Sequence, residues 1–129
     1  MIDIAYNIAQ YLDEADFGTI GTDIFVGQIE PDTNGIWIER SGGQLNNYIP
    51  IEETVVDIYI KDIKSEVAVN KLEQIKQYIH RMHDVTVNDS FMFTLLVIGD
   101  IEDVQRDAEY EKIYKITLQV VHRNTNLIS

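Results

Sequence analysis

Residues 91–98, Phe-Met-Phe-Thr-Leu-Leu-Val-Ile, form an apolar run interrupted only by Thr94. It is far short of the roughly 20 residues that a membrane-spanning helix needs, and it reads as a β-strand. Successive side chains on a strand point to opposite faces. The alternation predicts Phe91, Phe93, Leu95 and Val97 on one face and Met92, Leu96 and Ile98 on the other. Such a strand must be covered on both sides, which limits the folds open to the rest of the chain.

The remaining patterns supply two helices and several more strands. Ile4, Ile8, Tyr11, Leu12 and Ala15 recur at three- and four-residue spacing and predict a helix over 3–16, with Asp3 as N-cap and Gly18 at the C-terminal cap. Ala68, Leu72, Ile75, Ile79 and Met82 predict a second helix over 65–83, capped by Ser65 with Glu66 in its first turn. Residues 54–60 alternate strictly, Val56, Ile58 and Ile60 against Val55, Asp57 and Tyr59, and predict a strand. Residues 112–123 predict a closing strand with Ile116, Leu118 and Val120 inward and Lys115, Thr117 and Gln119 outward. Residues 22–40 read as a hairpin around the turn residues Pro31, Asp32, Asn34 and Gly35. Residues 41–51 read as a long exposed arm, 99–111 as an acidic loop and 124–129 as a tail.

The order α-β-β-β-α-β-β lacks the recurring strand–helix–strand unit of a doubly wound sheet. It predicts a single α+β domain over 1–129, a mixed and mostly antiparallel sheet with two helices packed on it. Two helices cover one face of a small sheet well. The second apolar face of 91–98, with Leu45, Tyr48 and Ile49 in the arm, therefore predicts covering by another subunit. The alternative is burial of both faces within one domain.

Composition narrows the function. The chain of 129 residues has no cysteine, which removes disulfides, zinc–cysteine sites and thiol chemistry together. Asp and Glu number 22 against 10 Lys and Arg, a net charge of −12. Of these, 12 acids and 3 bases lie in residues 1–64. Phosphate-backbone binding and attraction to an anionic membrane both need a basic face, so neither nucleic acid nor membrane is the expected ligand. Met1-Ile-Asp-Ile-Ala5 has no positive n-region, and the expectation is a soluble product made in the cytoplasm.

No catalytic constellation stands out, and the expectation is a protein that is not an enzyme. His80 and His83, at i and i+3, with His122 could share a metal, but no His-Glu-x-x-His or ligand-spaced carboxylate accompanies them. No metal and no cofactor are expected. Asp100, Glu102, Asp103, Asp107, Glu109 and Glu111 lack the Asp-x-Asp-x-Asp-Gly order of a calcium loop. Adjacent Glu52 and Glu53 on a strand point apart and cannot flank one bond. Ser41-Gly42-Gly43 lacks the Lys-Ser/Thr of a phosphate loop, and no Gly-x-Ser-x-Gly occurs.

The order of motifs resembles a family. Ile8-Ala-Gln-Tyr-Leu12, then Gly18-Thr-Ile-Gly-Thr-Asp-Ile-Phe-Val-Gly27, is similar to the opening of the tail-terminator (minor capsid) proteins of long-tailed bacteriophages. Ile36-Trp-Ile-Glu-Arg-Ser-Gly-Gly43 resembles the strand and Gly-Gly turn that follow there, and a late acidic segment with Arg106 continues the match. The chain departs from the pattern in the arm, where only Pro50 remains of the usual prolines, and next to Arg106, where the usual glycine is missing.

The resemblance implies structural work in the virion, at the tail or neck, with assembly in the host cytoplasm. Proteins of this kind form a hexameric ring of their own copies that caps the tail tube protein, stops tube growth and meets the head-side connector or stopper protein. Leu45, Tyr48, Ile49, Met92, Leu96, Ile98 and Arg106 are the expected subunit or tube contacts. Asp13, Glu14, Asp16, Asp100, Glu102 and Asp103 are the expected acidic surface past which DNA travels without binding. Two other readings stay open: another head–tail neck or completion protein, and a small ligand-binding or enzymatic α+β domain.

Overall fold

The computed structural model describes residues 4–27, 35–45, 51–62, 65–87, 90–104 and 112–123. Its elements are helix α1 (Ile4–Glu14), strands β1 (Ile24–Val26), β2 (Gly35–Leu45) and β3 (Ile51–Asp62), helix α2 (Ser65–Ile79), and strands β4 (Met82–Val87), β5 (Ser90–Val104) and β6 (Lys112–Arg123). The strands form one six-stranded sheet in the order β1-β2-β3-β6-β5-β4. Every neighbouring pair is antiparallel except β1 and β2. The fold is the expected α+β sheet with two helices.

Both helices pack on one face. The main core joins Ile4, Ile8 and Leu12 of α1 and Ala68, Leu72, Ile75 and Ile79 of α2 to Ile36, Ile38, Val56, Ile58, Ile60, Ile116, Leu118 and Val120 of the sheet. The predicted alternation in β3 and β6 is therefore the observed one. Among the described residues the opposite, open face carries no helix. At one end a small second core closes it: Trp37, Tyr59 and Ile113 are buried, with Phe25 and Val104 against them. Phe25 stacks on Trp37 with ring centroids 4.7 Å apart.

The first helix ends differently from expectation. Asp16, at φ 65°, is its left-handed residue, and Phe17 N donates to Leu12 O while Asp16 N donates to Asp13 O. These two bonds are the Schellman pattern with Asp16 in the place glycine usually takes. Gly18 serves packing instead, since a Cβ there would lie 2.8 Å from Asp23 Oδ1 and 2.9 Å from Ile24 Cγ1. Asp3 lies outside the described residues.

Residues 22–40 do not make a hairpin. Strands β1 and β2 run parallel, with Ile24, Phe25 and Val26 beside Ile36, Trp37 and Ile38. Ile36 N donates to Asp23 O at 2.8 Å and Gly27 N to Ile38 O at 2.9 Å. Gly35 is required at the start of β2, because a Cβ would stand 2.8 Å from the Asp23 carbonyl oxygen.

Three loop and helix boundaries also move. The arm is strand up to Leu45: Gly43 pairs with Thr54 and Leu45 with Glu52, and a bulge between Arg40 and Gly42 absorbs Ser41, whose hydroxyl donates to Val55 O. Residues 99–104 of the acidic loop belong to β5. The second helix stops at Ile79 because Arg81 takes a positive φ of 66° and donates its N–H to Leu95 O, which turns the chain into the unexpected edge strand β4. Residues 46–50 and 105–111, which include Tyr48, Ile49 and Arg106, are outside the described residues, as are 124–129.

Candidate assembly surface

Strand β5 decides what the open face offers. Met92 pairs with His122 and Thr94 with Val121, so Phe93 is an extra residue against β6. Side-chain direction has a period of two, so one inserted residue flips every later side chain. Met92, Leu95 and Val97 all enter the main core. Phe91 and Phe93 make an edge contact with centroids 5.0 Å apart. Leu96 and Ile98 sit opposite Gln119 and Thr117, on the open face.

This divides the expected contact residues. Met92 is fully buried beneath the helices, so its place as a subunit contact is corrected. Leu96 is half-buried and Ile98 is 47% exposed on the face no helix covers. Leu45 lies at the end of β2, paired with Glu52 of β3. Phe91 and Phe93 join the half-buried apolar strip, with Val121 beside them on β6.

Polar groups line the rest of the open face. Glu39 lies directly opposite Asp57, which pairs with Thr117, which pairs with Ile98, making one row across four strands. Asp57 is 7% exposed and accepts a 2.9 Å hydrogen bond from Thr117 Oγ1. Lys115 Nζ is 3.5 Å from Glu102 Oε2 and lies over the Tyr59 ring. Burial works against the Lys115 charge, but Asp57, Tyr59 and Glu102 outweigh it and raise its pKa. Gln119 donates to Glu53 at 2.8 Å.

The acidic residues expected to share one surface are dispersed. Asp13 accepts from Ile20 N at 3.0 Å, Asp16 is the helix cap, and Glu14 is exposed beside them. Asp100 sits in a bulge of β5 and binds Lys76 of α2 at 3.1 Å. The Ile101 N–H and then the Lys76 ammonium hold its carboxyl below the usual carboxylate range. Glu102 lies on the open face with Lys115, and Asp103 opposite Tyr114.

The three histidines go to separate places. His80 Nδ1 accepts from Val97 N at 3.2 Å, His83 is exposed beside Asp84, and His122 is buried against Thr54. Among the described residues no three His, Cys, Asp or Glu side chains are placed to hold a metal ion. Among the same residues no helix is long and apolar enough to cross a membrane.

Comparison with known proteins adds the family. The fold is similar to a chain in the virion of a native gene transfer agent particle, with a TM-score of 0.53 over 80% of each chain at 6% identity. At that identity the likeness is one of fold. No curated protein matches the sequence. The family model described as bacteriophage tail terminator protein matches residues 11–126, nearly the whole chain. From the first helix to the last strand, then, the chain belongs to the bacteriophage tail terminator protein family, whose members are structural proteins of the phage virion.

Proposed function

We propose that this protein ends tail-tube growth: copies of it form a ring, six in number, on the finished tube, block further tube-protein addition and present their other side to the head-side connector. The observation that carries this reading is the family match over residues 11–126. A small acidic sheet domain with a half-buried apolar strip on its uncovered face, ending at the exposed Ile98, supports assembly with further subunits. The open face around Leu96 and Ile98 is the proposed subunit contact, and the end of β2 and β3 where Leu45 pairs with Glu52 the proposed contact to the tube. Carboxylates facing the lumen of such a ring repel phosphates, so DNA passes without adhering.

Electron microscopy of lysates from the encoding element, with this gene disrupted, tests the reading. Headless tails of excessive or variable length beside filled heads are expected. Tails of normal length that fail to join heads would assign the protein to neck completion instead. Intact virions would overturn the structural role.

A further inference from the structure

The free surface that faces outward on α2 complements the open face of the same chain. Val67, Lys71, Gln74 and Tyr78 follow one another at i, i+4, i+7 and i+11, a single stripe along one side of the helix. Val67 is 47% and Tyr78 37% exposed, although neither caps a core. The Tyr78 ring packs against Tyr11 and Phe17, at centroid distances of 5.4 and 5.5 Å. Lys71 lines a shallow groove with Asp16, Phe17 and Gln74. The stripe is thus apolar at both ends with a cation between.

The open-face row is apolar at one end and acidic at the other, and so can match the Lys71–Tyr78 part of the stripe. Ile98 is its exposed apolar end, and Asp57 and Glu39 are the other end, opposed directly across β3 and β2. Two like charges directly opposite on neighbouring strands destabilise the pair. Lys115 is already shared between Asp57 and Glu102, so the row is short of positive charge. Spacings are compatible as well. Seven residues of helix separate Lys71 from Tyr78, about 10 Å. Three strand spacings separate Ile98 from Glu39, about 14 Å, a difference within the length of an extended lysine side chain.

We infer that the open sheet face of one subunit receives the α2 stripe of the next, Tyr78 seated against Ile98 and Lys71 against Glu39, which stands beside the buried Asp57. The inference rests on the ring reading above and specifies its contact. The two surfaces lie on opposite layers of one molecule, so the contact is head-to-tail, and repetition of it closes a ring or propagates a helix rather than stopping at a dimer. Apolar matching supplies attraction, and the charge pair fixes register and orientation.

Because the chain has no cysteine, single-cysteine variants report the contact cleanly. Ile98→Cys and Tyr78→Cys proteins, mixed and oxidised with copper phenanthroline, are expected to cross-link with each other but not each with itself. The Ile98→Cys/Tyr78→Cys double variant should give a ladder of closed and open oligomers. Glu39→Lys and Lys71→Glu, each in that double-cysteine background, should lose about tenfold of the cross-linked product, and their combination should restore it. Native mass spectrometry of the full chain and of isolated tails runs in parallel. Self-cross-linking of Ile98→Cys would replace the head-to-tail contact with a face-to-face one and overturn the inference. Oligomers of unchanged mass without the mixed cross-link would also overturn it, leaving the ring standing. A protein that is monomeric in solution and as a component of isolated tails would remove the ring and the contact together.

Discussion

His122 Nε2 lies 2.8 Å from Thr54 Oγ1 between β6 and β3, in a site where His122 is only 1% exposed. Its Nδ1 is 3.2 Å from the Arg123 carbonyl oxygen. A carbonyl can only accept, so Nδ1 carries the proton, and Nε2 of the neutral ring accepts from the threonine hydroxyl. Burial holds the imidazole pKa below 6.5, against the Arg123 carbonyl and Glu52, which favour the charged ring, and with Arg40, which disfavours it.

The sign of the resulting pH dependence follows from linkage. Between the depressed folded pKa and 6.5 the unfolded chain binds more protons at this residue than the native one. This contribution to stability is therefore complete above about pH 6.5 and is lost as the pH falls below it. Thermal unfolding from pH 8 to pH 5 should show a decline that a His122→Gln variant flattens. Thr54→Val should lower stability by about 1–2 kcal/mol at pH 8, because it strands a buried imidazole acceptor.

Asp16 occupies the left-handed position that closes α1. A non-glycine residue there carries about 1 kcal/mol of steric strain. Asp16→Gly should therefore raise the unfolding free energy by up to about 1 kcal/mol, measured by urea titration, with the m-value unchanged.

Two glycines of β2 should respond in opposite senses. Gly35→Ala drives a Cβ to 2.8 Å from the Asp23 carbonyl oxygen and should lose about 2 kcal/mol or more with disruption of the β1–β2 pairing. Gly42→Ala meets nothing within 4 Å and should be neutral or stabilising by up to about 1 kcal/mol. Circular dichroism melts of the two variants make the comparison.

Two residues of β5 should separate folding from assembly. Met92→Ala opens a cavity in the main core and should lose about 2–5 kcal/mol of stability. Ile98→Glu, on the open face, should melt within about 1 kcal/mol of the parent while failing to restore tail length in complementation of a disrupted gene. Normal complementation by Ile98→Glu would remove this face from the assembly surface.

Local periodicity settled much of the molecule in advance. The alternation of Val56, Ile58 and Ile60, that of Ile116, Leu118 and Val120, and the stripe from Ala68 to Ile79 each name a core face, and the structure buries all three. These patterns are readable because burial on one side imposes a repeat of two or 3.6 on consecutive residues. The family was readable from the collinear order of weak motifs, since that order follows the succession of elements and the family match covers the same span.

Tertiary structure alone decided the rest. An extra Phe93 against β6 reverses the parity of β5, so Met92 is core while Leu96 and Ile98 face outward, and uninterrupted alternation places all three together. Whether β1 and β2 run parallel depends on where the intervening chain returns, which the turn residues of 28–35 leave open because they suit a hairpin and a crossover alike. Arg81 ends α2 through a hydrogen bond to Leu95, a partner 14 positions away that no local pattern of residues encodes. Side-chain periodicity is a local property of the chain. Bulges, strand direction and helix stops are set by partners distant in sequence, and the contact surface of this protein is built from those.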